Sequence, residues 1–209
     1  TLLGFLKRFL LMFQLKQFDF IFIHREASPI GPPIFEFIIS KILKKKIIYD
    51  FDDAIWLVNT SNVNKIIAGI KWHHKVESIC KWAYKVSCGN EYLETYAKAF
   101  NKNVSIIPTT VDTELVHNKI KKQNTKNIVL GWTGTHSTIK YLFDLEKLLA
   151  KMQEKYQFKF MVISNREPLF KILKYEFVAW NKDSEIQDLL RMNVGIMPLK
   201  SDKWSKGKC

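Results

Sequence analysis

The chain has 209 residues, 47% of them hydrophobic and 25% charged, which suffices for one large domain or two small ones with buried cores. The formal net charge of +13 indicates either an anionic binding partner or a lysine-rich surface that is simply exposed to water. The sequence has no Arg-rich arm and no zinc-finger or RNA-recognition signature, so we expect no nucleic-acid partner. A basic patch facing an anionic membrane surface remains an alternative to a simply solvated surface.

The cysteines and the N-terminal stretch indicate the compartment. Cys80, Cys88 and Cys209 fit no metal-binding spacing, which predicts reduced thiols in a cytoplasmic protein. Residues 2–13 form an apolar stretch containing Lys7 and Arg8, too short to span a membrane and without a signal-peptide cleavage site. We predict an amphipathic helix that packs on the sheet; shallow docking on the inner face of a membrane is the alternative.

The first half of the chain alternates predicted strands and helices. We predict strands over residues 18–23, 47–49, 84–87 and 104–107. Helices are expected from Pro33 to about Lys44, along an apolar stripe between Val63 and Ala83, and after Asn90, which is a plausible N-cap.

The second half repeats the pattern after a polar, lysine-rich connection over residues 115–127. Strands are predicted over 128–132, 158–163, 176–180 and 194–197. Ser137 or Thr138 should cap one helix, and Ser184 with Gln187 matches a capping box for another. The alternation predicts an α/β protein with two Rossmann-like parallel-sheet domains, residues 1–114 and 128–209, joined by 115–127.

An acidic stretch follows the second predicted strand. Asp50, Asp52 and Asp53 come directly after a β-prone run, with Trp56 close behind. Burying one of these carboxylates without a partner would cost about 2 kcal/mol or more. We therefore place them at the carboxyl end of the strand, where open α/β sheets bind ligands. The alternative is that Asp52 or Asp53 caps the next helix. His24, Arg25 and Glu26 likewise follow the first strand.

Two further segments have features of phosphate binding. Gly134 joins a strand to a predicted helix, and the amides of Thr135, His136 and Ser137 would then lie at the helix N-terminus, where phosphates bind. A plain glycine turn with an N-cap explains the same residues. The final loop, residues 198–209, carries four lysines around Trp204 and should emerge at the same sheet edge as Gly134. A diphosphate between the two loops would be neutralised by the lysines.

Taken together, four segments resemble glycosyltransferase family 4, which has the two-Rossmann-domain GT-B architecture. They are residues 49–56 (YDFDDAIW), 107–112 (IPTTVD), 131–137 (GWTGTHS) and 198–209 (PLKSDKWSKGKC). The resemblance implies transfer of a sugar from a nucleotide-diphosphate sugar, such as a UDP- or GDP-sugar, to a hydroxyl of a glycan or lipid-linked acceptor. It further implies retention of anomeric configuration, with the donor phosphate helping to deprotonate the acceptor and with no metal or other cofactor.

The resemblance also implies roles for individual residues. Gly134, Thr135, His136 and Ser137 would meet the diphosphate from one side and Lys206 or Lys208 from the other. Asp52 and Asp53 would be the catalytic acids, which orient the sugar or hold the acceptor hydroxyl. The acceptor side would comprise five residues, namely His24, Arg25, Glu26, Asp50 and Trp56.

The chain departs from the family pattern at two points. Many relatives have a His-Asp pair where Asp52 and Asp53 fall here. The family's paired glutamates, seven residues apart, are missing, because Lys208 occupies the first position and the second would lie after Cys209. We interpret the chain as a fragment truncated at both ends, with both domains incomplete, and expect it to be inactive as it stands.

Two other functions are alternatives, one based on the acidic stretch and one on the basic charge of the chain. The Asp-x-Asp pattern resembles the opening of haloacid-dehalogenase-like phosphohydrolases, with Asp50 as nucleophile, Asp52 as acid and Mg²⁺ as cofactor. Ala54 stands where that family prefers Thr or Val. A non-enzymatic, basic membrane-binding module is the third possibility, and it would leave the acidic stretch without a purpose.

Overall fold

The computed structural model describes residues 2–28, 30–57, 72–123 and 126–209. The chain forms two compact units: unit 1 comprises Thr1–Thr110 with Ser201–Cys209, and unit 2 comprises Val111–Lys200. Each contains a four-stranded, all-parallel sheet flanked by helices. The predicted fold class, two Rossmann-like parallel-sheet domains, is confirmed.

In the sheet of unit 1, strands that follow one another in the sequence are also neighbours in space. The chain begins with helix α1 (Leu2–Met12) and a 3₁₀ turn (Leu15–Gln17), and α2 (Ile34–Phe37) continues as a π-helical turn (Ile38–Ile42). The remaining elements are β1 (Phe20–His24), β2 (Lys46–Phe51), α3 (Lys75–Trp82), β3 (Lys85–Cys88), α4 (Glu91–Lys98) and β4 (Val104–Ile106).

Strand β2 shows why this sheet has one apolar and one mixed face. Ile47, Tyr49 and Phe51 alternate along it and are fully buried. Their neighbours on the same face of β3 are Val86 and Cys88, which are buried as well. The other face carries polar groups at its carboxyl end, where the candidate site lies.

The predicted boundaries in unit 1 are close to those of the structure. The helix predicted between Val63 and Ala83 lies partly outside the described residues. In the described part, helix α3 begins at Lys75. The predicted N-cap is present, since the Asn90 side chain accepts a hydrogen bond from the Leu93 amide at 3.0 Å. Cys80 and Cys88 are buried as expected, and burial raises the pKa of each thiol to about 12.

The sheet of unit 2 is formed by β5 (Val129–Gly134), β6 (Lys159–Ser164), β7 (Glu176–Ala179) and β8 (Val194–Gly195), in the order β7-β6-β5-β8. From β5 the chain moves outward to β6 and β7 and then returns to the opposite side of β5 as β8. The core between sheet and helices contains Trp132, Leu142, Leu149, Phe160 and Val162. The helices of unit 2 are α5 (Lys140–Phe143), α6 (Glu146–Tyr156) and α7 (Glu185–Leu189).

Two predicted helix caps in unit 2 are wrong. Helix α5 begins at Lys140 and has no side-chain cap, because the Thr138 hydroxyl donates to the Thr135 carbonyl within the preceding turn. Ser184 does precede α7, but its hydroxyl donates to the Asp188 carboxylate at 2.8 Å and caps no backbone amide. In both places a local side-chain bond competes with capping.

The C-terminal segment corrects the predicted domain boundaries. Residues 201–209 belong to unit 1 and not to unit 2. The first stretch of unit 1 ends at Thr110, and unit 2 runs from Val111 to Lys200. The segment contains a short helix, α8 (Lys203–Lys206), capped by Asp202, whose carboxylate accepts from the Ser205 amide at 2.7 Å. Trp204 packs against the core of unit 1, which explains the grouping.

Among the described residues, no helix is both long enough and apolar enough to cross a membrane.

Candidate functional site

Three adjacent strands of unit 1 bring three polar side chains together at one sheet edge. In the parallel register His24 of β1 lies beside Asp50 of β2, which lies beside Ser87 of β3. His24 Nδ1 is 2.7 Å from Asp50 Oδ2, and the Ser87 hydroxyl donates to Asp50 Oδ1 at 2.6 Å. The Asp50 carboxylate thus engages a partner through each of its oxygens.

Arg25 links the two carboxylates that follow β2. Its Nε donates to Asp52 Oδ1 and its Nη2 to Asp53 Oδ2, both at 2.8 Å. Its backbone has a φ of 60°, in the left-handed region that non-glycine residues seldom adopt, and its amide donates to the Asp50 carbonyl at 2.6 Å. The strained turn therefore directs the guanidinium toward the acids.

The charges at this edge stabilise one another. Partial burial raises the pKa of Asp52, but the hydrogen bond and charge of Arg25 outweigh burial and hold that pKa below its ordinary value. The same contact with Asp52 raises the pKa of Arg25. Asp52 is therefore an anion over the working pH range of most proteins. Its Oδ1 lies 3.9 Å from Nε2 of His24, whose side chain is 51% exposed.

Lys208 belongs to this acidic edge. Its ammonium is 2.8 Å from Asp53 Oδ1 and 5.8 Å from the centre of the Trp204 ring. Asn90 Nδ2 donates to the carbonyls of Lys206 and Lys208, at 3.2 and 3.1 Å, and so fixes the segment. Lys206 and Lys208, which the sequence analysis assigned to the same domain as the Gly134 loop, belong to unit 1, whereas Gly134 belongs to unit 2.

Two residues predicted for the acceptor side, Glu26 and Trp56, contact other residues of the fold. Glu26 forms an ion pair with buried Lys75 at 2.5 Å. The Trp56 ring stacks on Tyr96, with centroids 3.7 Å apart and planes 2° from parallel. Both therefore hold the loops at this end of the sheet in place.

Ser87 and Lys208 were not anticipated as members of this edge. Ser87 was detectable, because it lies near the end of a predicted strand, as His24 does, and parallel neighbours end at the same edge. No local signal identifies the contact between Lys208 and Asp53, since the two residues are far apart in sequence.

In unit 2 the loop after β5 collects the other predicted residues. A Cβ added to Gly134 would come within 2.5 Å of the Trp132 ring and 3.0 Å of the Thr138 hydroxyl oxygen, so glycine is needed. The Thr135 and Ser137 hydroxyls are 2.8 Å apart. Gly134, Thr135, His136 and Ser137 thus form one compact loop, as the sequence indicates.

The predicted helix N-terminus at this loop is absent. The His136 amide donates to Asn165 Oδ1 at 2.8 Å, and Asn165 Nδ2 is 3.3 Å from His136 Nδ1. Asn165 directly follows β6, so this pair ties together the ends of two neighbouring strands. Because α5 starts only at Lys140 and has four residues, the amides of Thr135 to Ser137 are not at a helix N-terminus.

The Gly134 loop lies where the strand order of unit 2 reverses. β5 has β6 on one side and β8 on the other, and the Ile196 amide, just after β8, donates to the Gly131 carbonyl at 2.9 Å. In open α/β sheets such a reversal leaves a crevice at the carboxyl ends, and ligands bind there.

Fold and site together define an α/β protein with two Rossmann-like parallel-sheet units, each with a polar cluster at the carboxyl edge of its sheet. No protein-family model matches the chain, and no curated protein matches it. Within residues 2–28, 30–57, 72–123 and 126–209, no three His, Cys, Asp or Glu side chains are grouped to hold a metal ion.

Proposed function

We propose that the protein is a glycosyltransferase that moves a sugar from a nucleotide-diphosphate sugar to an acceptor hydroxyl, with retention of configuration. The observation that supports it best is the reversal of strand order beside β5, with Gly134 and its polar loop at the carboxyl end of that strand. Unit 2 is then the nucleotide-sugar-binding unit. Thr135, His136 and Ser137 supply donors for phosphate or sugar oxygens.

Unit 1 supplies the groups that contact hydroxyls. His24 and Asp52 present acceptor atoms at an exposed edge, while Asp53 is neutralised by Arg25 and Lys208. In the transfer, the bond from the sugar C1 to the donor phosphate breaks and a bond from C1 to the acceptor oxygen forms. The nucleoside diphosphate leaves with the electron pair, and the proton of the acceptor hydroxyl passes to an oxygen of the departing phosphate.

The contacts of unit 1 favour this proposal over phosphohydrolase chemistry. A nucleophilic Asp50 would need a free oxygen, but one oxygen accepts from Ser87 and the other contacts His24. A general acid at Asp52 would have to be protonated, whereas Arg25 lowers the pKa of Asp52.

The site of action in this proposal is the cytoplasmic face of a membrane that carries a lipid-linked acceptor. Residues Leu3, Leu6, Phe9, Leu10 and Phe13 of the first segment are all more than half exposed, and Lys7 and Arg8 lie among them. Such a helix binds anionic lipid surfaces. Sedimentation with anionic but not with neutral vesicles is the expected result, and equal binding to both would contradict it.

The donor assignment is tested by calorimetric titration with UDP- and GDP-sugars. Gly134→Val should weaken binding at least about tenfold, roughly 1.4 kcal/mol, because the added side chain displaces the loop. Gly195→Ala is the matched control in the same sheet, since a Cβ there meets nothing within 4 Å. Absence of binding to every nucleotide sugar, or equal binding by both variants, would refute the donor assignment.

A further inference from the structure

A small cavity opens at the edge of the unit 2 sheet opposite the Gly134 loop. Its volume is 270 Å³, just below the range of about 300–1,000 Å³ that is typical of small-molecule sites. Among its lining residues are the first residues of β5, β6 and β7, which are Val129, Lys159 and Glu176, and Asn193, which precedes β8. Because the four strands are parallel, these residues share the amino edge of the sheet, away from the loops at its carboxyl edge.

The connection that precedes β5 is fastened to this edge and forms one wall of the cavity. Asn193 Nδ2 donates to Gln123 Oε1, and Asn193 Oδ1 accepts from the Val129 amide at 2.8 Å. These bonds hold the neighbours of Gln123 in the chain, Lys121 and Lys122, at the cavity that they line. The lysine-rich connection therefore contributes positive charge at a defined place in unit 2.

Positive charge is in excess around the cavity. Four of its lining residues are cations, and Glu176 is the carboxylate among them. Arg191 forms an ion pair with Glu176. In the described part of the chain, no carboxylate lies within ion-pair distance of the three remaining cations, which are Lys121, Lys122 and Lys159. Three ammonium groups in one place repel one another, and an anion bound among them relieves that repulsion.

We propose that this cavity binds a small molecule with two adjacent phosphoryl groups, as a second ligand of unit 2 distinct from the nucleotide sugar. A phosphoryl group carries up to about two negative charges near neutral pH, so two such groups match the three unpaired lysines. Each lysine ammonium acts as a point charge with three donors, which suits phosphate oxygens. The buried Met161 and the half-buried Leu190 complete the lining and suit the carbon-bearing part of the ligand.

The charge match is tested by calorimetric titration of the full chain with inorganic diphosphate at low ionic strength, where contacts between exposed charges are strongest. Lys159→Gln and the double variant Lys121→Gln with Lys122→Gln should each weaken binding at least about tenfold, because a hydrogen bond between charged groups is worth that much. Lys151→Gln removes an exposed charge from α6 outside the cavity and should bind as the wild type does. Absence of binding to the wild type, or equal affinity in all variants, would overturn the proposal.

Glu176→Gln provides a result that an unstable variant could not mimic. It removes the carboxylate from the cavity and releases Arg191 to the ligand, so the affinity for diphosphate should rise severalfold. Unchanged or weaker binding would count against the cavity as the site.

Amide ¹H–¹⁵N spectra separate this site from the proposed donor site. Diphosphate should shift the signals of residues around Val129 and Lys159 in the wild type and equally in Gly134→Val, whose substitution lies at the other edge of the sheet. Shifts confined to the Gly134 loop would overturn this proposal and leave the donor assignment standing. Shifts at the amino edge in a protein that binds no nucleotide sugar would support the cavity and refute the donor assignment alone.

Discussion

At the scale of the residue, the buried Lys75 stabilises the loop beside the acidic edge of unit 1. Only 1% of its side chain is exposed, and its ammonium donates to the Ser28 carbonyl at 2.6 Å as well as pairing with Glu26. Glu36 lies nearby in the same interior, where burial raises the pKa of its carboxyl group. These buried charges fix the loop that follows β1 and so position His24 and Arg25.

Removing the Lys75 ammonium should destabilise the protein strongly. Lys75→Met leaves the Glu26 carboxylate without its cation, and breaking a buried ion pair in this way costs about 3–5 kcal/mol. The free energy of unfolding in urea measures the loss. Lys81→Met is the control, since its pair with Glu77 is an exposed i,i+4 contact worth at most about 0.5 kcal/mol. Equal effects of the two variants would show that Lys75 has no special role.

At the scale of an element, helix α4 connects the sheet of unit 1 to the C-terminal segment. The Asn90 side chain uses its oxygen to cap α4 and its amide nitrogen to bind the carbonyls of Lys206 and Lys208. Because the two functions use different atoms, they can be separated by substitution.

Asn90→Asp should keep the cap and release the segment. An aspartate accepts from the Leu93 amide but cannot donate to the two carbonyls, so unfolding in urea should change little while the amides of residues 206–208 exchange hydrogen faster. Asn90→Ala should lose both contacts and lower the free energy of unfolding by about 1–2 kcal/mol. Unchanged exchange in Asn90→Asp would show that other contacts, such as Lys208 with Asp53, suffice to hold the segment.

At the scale of the whole molecule, the chain leaves unit 1 near Thr110 and returns to it at Ser201. Gly207 shows how closely the returning segment packs, because a Cβ there would lie 2.7 Å from the Ala54 Cβ and 2.8 Å from the Ala54 nitrogen. The segment is therefore part of the fold of unit 1.

Removal of residues 201–209 should destabilise unit 1 and spare unit 2. Without Trp204 and Gly207 the core beside Ala54 and Leu93 is opened, so hydrogen exchange should accelerate in β2, β3 and α4. Strands β5 and β6 should keep their protection. Gly207→Val should have the same direction of effect through overpacking, at about 1–3 kcal/mol. Loss of protection confined to unit 2 would contradict the division of the chain.

Local sequence patterns determined the fold class and most of the sheet. The alternation in β2 and the side-chain oxygen of Asn90 act over a few residues, so periodicity and cap chemistry predict them directly. The placement of His24 and the acids at a strand's carboxyl end followed from the cost of burying charge. Much of the helix predicted between Val63 and Ala83 falls in residues 58–71, which lie outside the described part of the chain.

Only the tertiary structure decided which charges meet. The sequence assigned Lys208 to the second domain because it follows β8, whereas the packing of Trp204 and the hydrogen bonds of Asn90 place it in unit 1, in contact with Asp53. Likewise, Asp50 acquires its two partners only when three strands from distant parts of the chain align in register. Such contacts depend on how whole helices and strands pack over long sequence distances, and no short sequence pattern encodes that packing.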